Sequence, residues 1–348
     1  MDADEPAAFK RMPKVDLHRH LEGSLRLETL AEIARQEGLS LPVERGALSE
    51  QVQVSPQDPP TAQSFLSKFE ALRHYYLSGE IIQRLTREAV ADAAQDGVRY
   101  LELRFNPTAL ASARGFPIGE VVDWVCGAAE EEAHGAGIKV RLIVSVNRHE
   151  PVEVAQRAAQ EAVDRMSNGI VGLDLAGKEW EFDAAPFSEI FAEAKRAGLG
   201  VTVHAGEWAG AEAVRHAVEA MGADRVGHGV RVIEDAAVVA LARERGLVFE
   251  VCLSSNLQSG VVADVAAHPL PRMIEVGLRV TLNSDDPQVS GISLSGEYAL
   301  ARRELALSEE ALQGLILTAA QAAFLPPGET KALEASLAAE LFGGGRID

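Results

Sequence analysis

The chain has 348 residues, 47% hydrophobic and 24% charged, an ordinary globular balance that can bury a large core without staples. A net charge of −19 with a pI of about 4.9 argues against a groove for phosphate backbones, hence against a nucleic-acid partner, and leaves a neutral small molecule unaffected. With two cysteines, Cys126 and Cys252, an acidic Met1–Lys10 lacking an apolar leader core, and no apolar run near the roughly 18 residues of a membrane span, the expected setting is the cytoplasm, away from membranes.

Short β-branched runs alternate with longer helical patterns. Residues 14–18 read as the first strand. Helices are expected over 26–36, 61–77 and 80–96, with the Pro-rich stretch 55–60 as a loop. The rhythm then becomes regular. Strands are expected over 98–105, 138–146, 170–175, 200–204, 225–228, 247–252 and 278–283. Between them fall helices over 118–134, 151–166, 186–197, 211–221, 235–245 and 269–276. Each strand is apolar over most of its length, as expected for strands covered on both faces. Gly97, Gly135, Gly198, Gly246 and Gly277 sit at helix-to-strand joints, where a left-handed C-cap is expected. The alternation predicts βαβ units with a parallel sheet, and eight strands predict a (β/α)8 TIM-type barrel. Two further helices over 308–342 are expected to pack outside it, and no linker or repeat divides residues 1–348 into separate domains.

In such a barrel the site forms at the carboxyl-terminal strand ends. There the sequence places His18-Arg19-His20, His204-Ala205-Gly206-Glu207, His228 and Asn283-Ser284-Asp285-Asp286. His18 and His20 are two apart, so on an extended segment they share a face and can point to one metal. Imidazole and carboxylate are ordinary zinc ligands, and His204 and Asp285 can supply the rest from other strands. Such a metal activates water near neutral pH. Each piece alone has a plainer reading. An H-x-H pair can bond backbone, Glu207 can be the first acid of a helix, and Asp285-Asp286 can form a turn or N-cap. Their convergence on one barrel end points to a metal site.

The segments Asp16-Leu-His-Arg-His-Leu-Glu-Gly, Glu102-Leu-Arg-Phe, Leu173-Asp-Leu-Ala-Gly, His204-Ala-Gly-Glu, Arg225-Val-Gly-His-Gly-Val, Ser254-Ser-Asn-Leu-Gln and Asn283-Ser-Asp-Asp-Pro resemble those of adenosine deaminases. They run in order from about Lys14 to Pro287. The H-x-E…P-C-x-x-C signature of the cytidine-type deaminases is absent. The resemblance implies hydrolytic deamination of adenosine or 2′-deoxyadenosine, with one Zn2+ per subunit. It implies His18, His20, His204 and Asp285 as zinc ligands, and Glu207 as the acid that protonates purine N1. His228 would orient the attacking water or take its proton, and Asp285 would share the base role. His20, Glu22, the Gly177 N–H (toward N3) and Asp286 (toward N7) would bind substrate.

One position departs from the family. Its first motif usually ends His-Leu-Asp-Gly, and the aspartate contacts the ribose 5′-hydroxyl; here it is His20-Leu21-Glu22-Gly23. The longer Glu22 resembles that of adenine deaminases, which keeps adenine or a 5′-substituted adenosine as an alternative substrate. A purine-binding protein without turnover is the rival from another class, and the presence of Glu207 with the whole ligand set speaks against it. A two-metal ester or phosphotriester hydrolase is a third; the resemblance gives Lys178 no bridging role. Phe65, Leu66 and Phe69 either form a hydrophobic lid or simply pack. Arg19 is expected to be structural. Trp180, Trp208, His74, His134, His149, His216 and His268 are expected in packing or surface roles. The oligomeric state is left open.

Overall fold

The structure, a computed structural model, describes residues 5–343. The first four residues of the acidic amino-terminal stretch, and residues 344–348, lie outside the described part. Eight strands form, Lys14–His20 (β1), Val98–Phe105 (β2), Lys139–Asn147 (β3), Ile170–Ala176 (β4), Gly200–His204 (β5), Arg225–Gly227 (β6), Val248–Val251 (β7) and Arg279–Leu282 (β8). Every neighbouring pair is parallel, and the spatial order is the chain order. The segment after β8 returns to β1. His20 N–H donates to Asp285 O and Asp285 N–H to His18 O, both at 2.8 Å. Closer to the strand, Leu17 N–H donates to Asn283 Oδ1 at 3.0 Å, so a side chain stands in where a backbone acceptor would close the ladder. The (β/α)8 barrel expected from the sequence is the fold.

The strands are not uniformly apolar, and this corrects the sequence expectation. Outward positions such as Leu17, Leu103, Val144, Leu173, Val203, Val226, Phe249 and Val280 are buried and belong to the apolar core under the helices. Positions between them carry Glu102, Arg104, Asp174, Thr202, Arg225 and Glu250, all at most 1% exposed. The period of two along a strand sends these inward. A barrel interior usually fills with branched apolar side chains; this one is ion-paired instead. Arg225 bonds Glu250 (2.5 Å) and Glu102, and Arg104 bonds Glu250 (2.8 Å). Buried charges survive only when each is paired and hydrogen-bonded. At the amino-terminal end Phe324 plugs the barrel, with the Arg225 guanidinium 3.5 Å from its ring centre. A Cβ on Gly200 would stand 2.5 Å from that ring, so the strand needs glycine there.

The helices follow the predicted alternation with local differences. The 61–77 helix stops at Leu72 and tightens into a 3₁₀ turn over Arg73–Tyr75. Gly97, Gly198, Gly246 and Gly277 have the left-handed φ expected at joints. Gly135 lies inside the helix Ile118–Ala136, and Gly137 caps it with φ 69°. Outside the barrel the tail carries helices Glu309–Ala322 and Pro327–Gly343 as expected, and a third, Leu294–Leu305, precedes them. Ser293 starts that third helix by accepting from Gly296 N–H, and the helix buries Leu294 and Tyr298. Among the described residues, no helix is long and apolar enough to cross a membrane.

Candidate active site

The carboxyl-terminal end of the barrel holds a cavity of about 480 Å3. His20, Glu22, His204, Glu207, His228, Asp285, Asp286 and Gly177 all line it, and His18 lies beneath. Every site residue proposed from the sequence is therefore gathered at one place. Leu66 and Phe69, on the helix Ala62–Leu72, form an apolar side of the cavity with Phe65. Two residues expected in packing or surface roles, His149 and Trp208, also reach the wall.

β1 presents His18 and His20 from the same side, with ring centres 5.2 Å apart. β5 adds His204, whose ring centre is 4.6 Å from that of His18. One ligand atom from each of His18, His20 and His204 falls within a 4.8 Å group, and His18, His228 and Asp285 make a second such group. Asp285 Oδ1 stands 3.4 Å from His18 Nε2 and 3.5 Å from His20 Nε2. His228 and Asp285 reach these places through left-handed backbone, φ 58° and 57°. Such conformations are costly for residues with a Cβ and cluster at functional sites. Gly227 keeps the floor open, since a Cβ there would lie 2.9 Å from His18 Cε1.

Carboxylates behind the imidazoles set their orientation. Glu250 Oε2 bonds His18 Nδ1 at 2.9 Å, and Asp174 Oδ1 bonds His204 Nδ1 at 3.0 Å. Both rings thereby turn Nε2 toward the cavity, in the arrangement that metal-bound histidines adopt. His18 Nε2 is buried and has no hydrogen-bond partner. An imidazole nitrogen left bare among two more imidazoles and a carboxylate is a donor set that fits a divalent transition metal. Burial holds His20 and His228 well below the usual imidazole range, so both rings are neutral, and for His20 this is the form a ligand requires. Burial also opposes the charge on Asp285, but His18, with Nε2 3.4 Å from Oδ1, outweighs it and keeps the carboxyl well below its ordinary value.

Glu207 is 2% exposed, and its Oε2 has no hydrogen-bond partner although it lies 3.6 Å from His228 Nε2. Burial first, then the nearby Asp285 and Glu179 carboxylates, push its pKa well above 4.5. It does not start a helix, since the next one begins at Ala211. Its loop is held by Glu179, which accepts N–H bonds from Gly206 (2.6 Å), Glu207 (3.0 Å), Trp208 (2.9 Å) and Ala209 (3.0 Å). Asp286 is likewise buried beside the Asp285 charge, and both effects push it well up. Its Oδ1 is unpartnered. Glu22 spends one oxygen on Asn106 N–H at 2.6 Å, and leaves Oε2 buried without a partner. Burial brings Glu22 up to about 7. Sequence reasoning gave no role to Glu250, Asp174 or Glu179. Asp174 lay inside a quoted motif, whereas Glu250 and Glu179 carried no local signal.

The adenosine deaminase family model matches residues 13–340. The adenosine deaminase of Shigella flexneri is 38% identical over 330 residues, covering 94% of this chain and 98% of that protein. Among solved structures, the adenine deaminase of Arthrobacter aurescens superposes with a TM-score of 0.86 at 27% identity, over 94% of this chain and 98% of that one. The N6-methyl-AMP deaminase of Arabidopsis thaliana gives 0.83 at 26% identity, over 95% and 98%. With a match this long, lying across the same strand ends that build the cavity, the chain belongs to the adenosine deaminase family of hydrolases.

Proposed function

We propose that the protein hydrolyses the 6-amino group of adenosine or 2′-deoxyadenosine, releasing ammonia and the corresponding inosine. The observation that carries this is Glu207 Oε2, buried without a hydrogen-bond partner in the same cavity as His20, His204 and Asp285, where burial and nearby carboxylates push the Glu207 pKa well up. His18, His20, His204 and Asp285 are the residues that would hold one zinc ion. A bound zinc supplies Lewis-acid activation of water at neutral pH.

The remaining chemistry belongs to the chain. Glu207 keeps its proton because the cavity disfavours a further negative charge, so it can protonate purine N1 and make C6 electrophilic. His228 and Asp285 face the attacking oxygen from one side, with His228 Nε2 3.8 Å from Asp285 Oδ2. Between them they orient the water and take its proton. Asp286, held in its protonated form, has a donor for N7. The Gly177 N–H serves N3, and Glu22 Oε2 serves the ribose 5′-hydroxyl. The two cysteines are buried and unpaired, which supports a reducing, cytoplasmic setting.

Incubation with adenosine should give inosine and an equal amount of ammonia; zinc-loaded protein that leaves adenosine intact would overturn the reading. A second reading, adenine as substrate, is favoured by one feature. Glu22 is one methylene longer than the family's usual aspartate, and its Oε2 is buried at the cavity wall without a hydrogen-bond partner.

A further inference from the structure

A row of three hydrogen bonds runs beneath His228. Leu270 N–H donates to His268 Nδ1 at 3.0 Å. His268 Nε2 stands 3.1 Å from Asn256 Oδ1, and Asn256 Nδ2 stands 3.2 Å from His228 Nδ1. His268, Asn256 and His228 are all at most 3% exposed.

The first bond fixes the sense of the others. A backbone N–H can only donate, so His268 Nδ1 is the acceptor. Burial brings the His268 pKa down to about 3, so the ring is neutral and its single proton is on Nε2. That proton needs an acceptor, which turns the Asn256 oxygen toward His268 and the amide nitrogen toward His228. An amide nitrogen donates, so His228 Nδ1 accepts, and neutral His228 carries its proton on Nε2. This Nε2 is the atom that faces Glu207 Oε2 at 3.6 Å and Asp285 Oδ2 at 3.8 Å.

We infer that His268 and Asn256 are positioning residues that lock His228 as an Nε2–H donor into the cavity. Two consequences follow. An Nε2 that keeps its proton has no lone pair for a metal, which separates His228 from His18, His20 and His204. Resting on the deaminase reading, His228 then orients the attacking water by donating to its oxygen, and Asp285 is left to accept the proton.

The test is the imidazole nitrogen NMR spectrum of zinc-loaded, 15N-histidine-labelled protein at neutral pH. The expected spectrum shows His228 protonated at Nε2 and bare at Nδ1; the reverse assignment overturns the inference. In Asn256→Asp the carboxylate accepts from both neighbours, so the His228 proton should move to Nδ1. With adenosine, kcat should fall about a hundredfold, while KM and metal content stay near the parent's. His268→Gln can accept from Leu270 and donate to Asn256, so it should keep the parent tautomer and turnover, whereas His268→Leu should not. An Asn256→Asp protein with the parent's tautomer and kcat would also overturn the inference. The spectrum needs no substrate. A protein that shows the Nε2–H form yet deaminates no purine would sink the deaminase reading and leave this inference standing.

Discussion

Glu250 Oε2 stands 2.9 Å from His18 Nδ1 and 2.8 Å from Arg104 Nη2, so one carboxylate joins the charged barrel interior to the imidazole cluster. Its other oxygen bonds Arg225 at 2.5 Å. Burial would favour the neutral acid, but Arg104, Arg225 and His18 hold the carboxyl well below its ordinary range. Glu250→Gln should therefore act in two ways. Metal affinity should drop about 10- to 100-fold, because His18 loses the partner that orients it. Stability should drop by ~3 kcal/mol, because two buried guanidinium groups each lose one counter-charge, Arg225 keeping Glu102 and Arg104 keeping Asp174. Competition with a chelator reads the first and chemical denaturation the second; an unchanged affinity would mean that Glu250 serves the fold alone.

Glu207→Gln preserves the shape of the side chain and removes its acidic proton. The expected result is full metal occupancy, nucleoside binding close to the parent's, and a kcat lower by about 10²- to 10⁴-fold. Steady-state kinetics with metal analysis decide this. Near-normal kcat would take Glu207 out of the proton transfer.

Glu22 links the site to stability. Its carboxyl titrates near 7 in the folded state, against 4.5 ordinarily, with burial as the main cause. Below 4.5 both the folded and the unfolded chain hold the proton, and the group's contribution is intact. Rising pH ionises the unfolded chain first, so that contribution is lost progressively up to about 7 and stays constant above. Glu22→Gln cannot ionise. Its stability relative to the parent should rise by ~3 kcal/mol from about pH 4.5 to about pH 8. Denaturant melts at both pH values check this, and a difference independent of pH would contradict it.

Gly23 allows Asp286 its position. A Cβ there would lie 1.9 Å from Asp286 Oδ1. Gly23→Ala should push the carboxyl aside, lowering kcat/KM for the purine while the metal stays bound. Overpacking of this kind costs ~1–3 kcal/mol of stability. An unaltered kcat/KM would mean that the Asp286 carboxyl does not touch the substrate.

The barrel was readable because its strands announce themselves twice, by apolar β-branched runs and by glycines at most of the joints that precede them. The strand-end histidines and carboxylates were readable for a related reason: polar residues directly after an apolar run stand out. The supports behind them were not. Glu250 sits inside the run Val248–Val251 and meets His18 across 232 residues of sequence. Glu179 lies in a loop, and its four N–H partners are 27 to 30 residues away. The first pairing follows from barrel closure and the second from the neighbouring loops after β4 and β5, and no local pattern encodes either. The helix Leu294–Leu305 lies outside the elements read from the sequence; Ser293 caps it, and it begins between Gly291 and Gly296.

The most direct test of the account is ammonia release by zinc-loaded protein from adenosine, 2′-deoxyadenosine, adenine and 5′-methylthioadenosine, measured side by side as kcat/KM. The account predicts that the two nucleosides are preferred, with Glu22 accommodating the 5′-hydroxyl. A preference for adenine or for the 5′-substituted compound would contradict the proposed substrate and make the Glu22 carboxyl the first place to look.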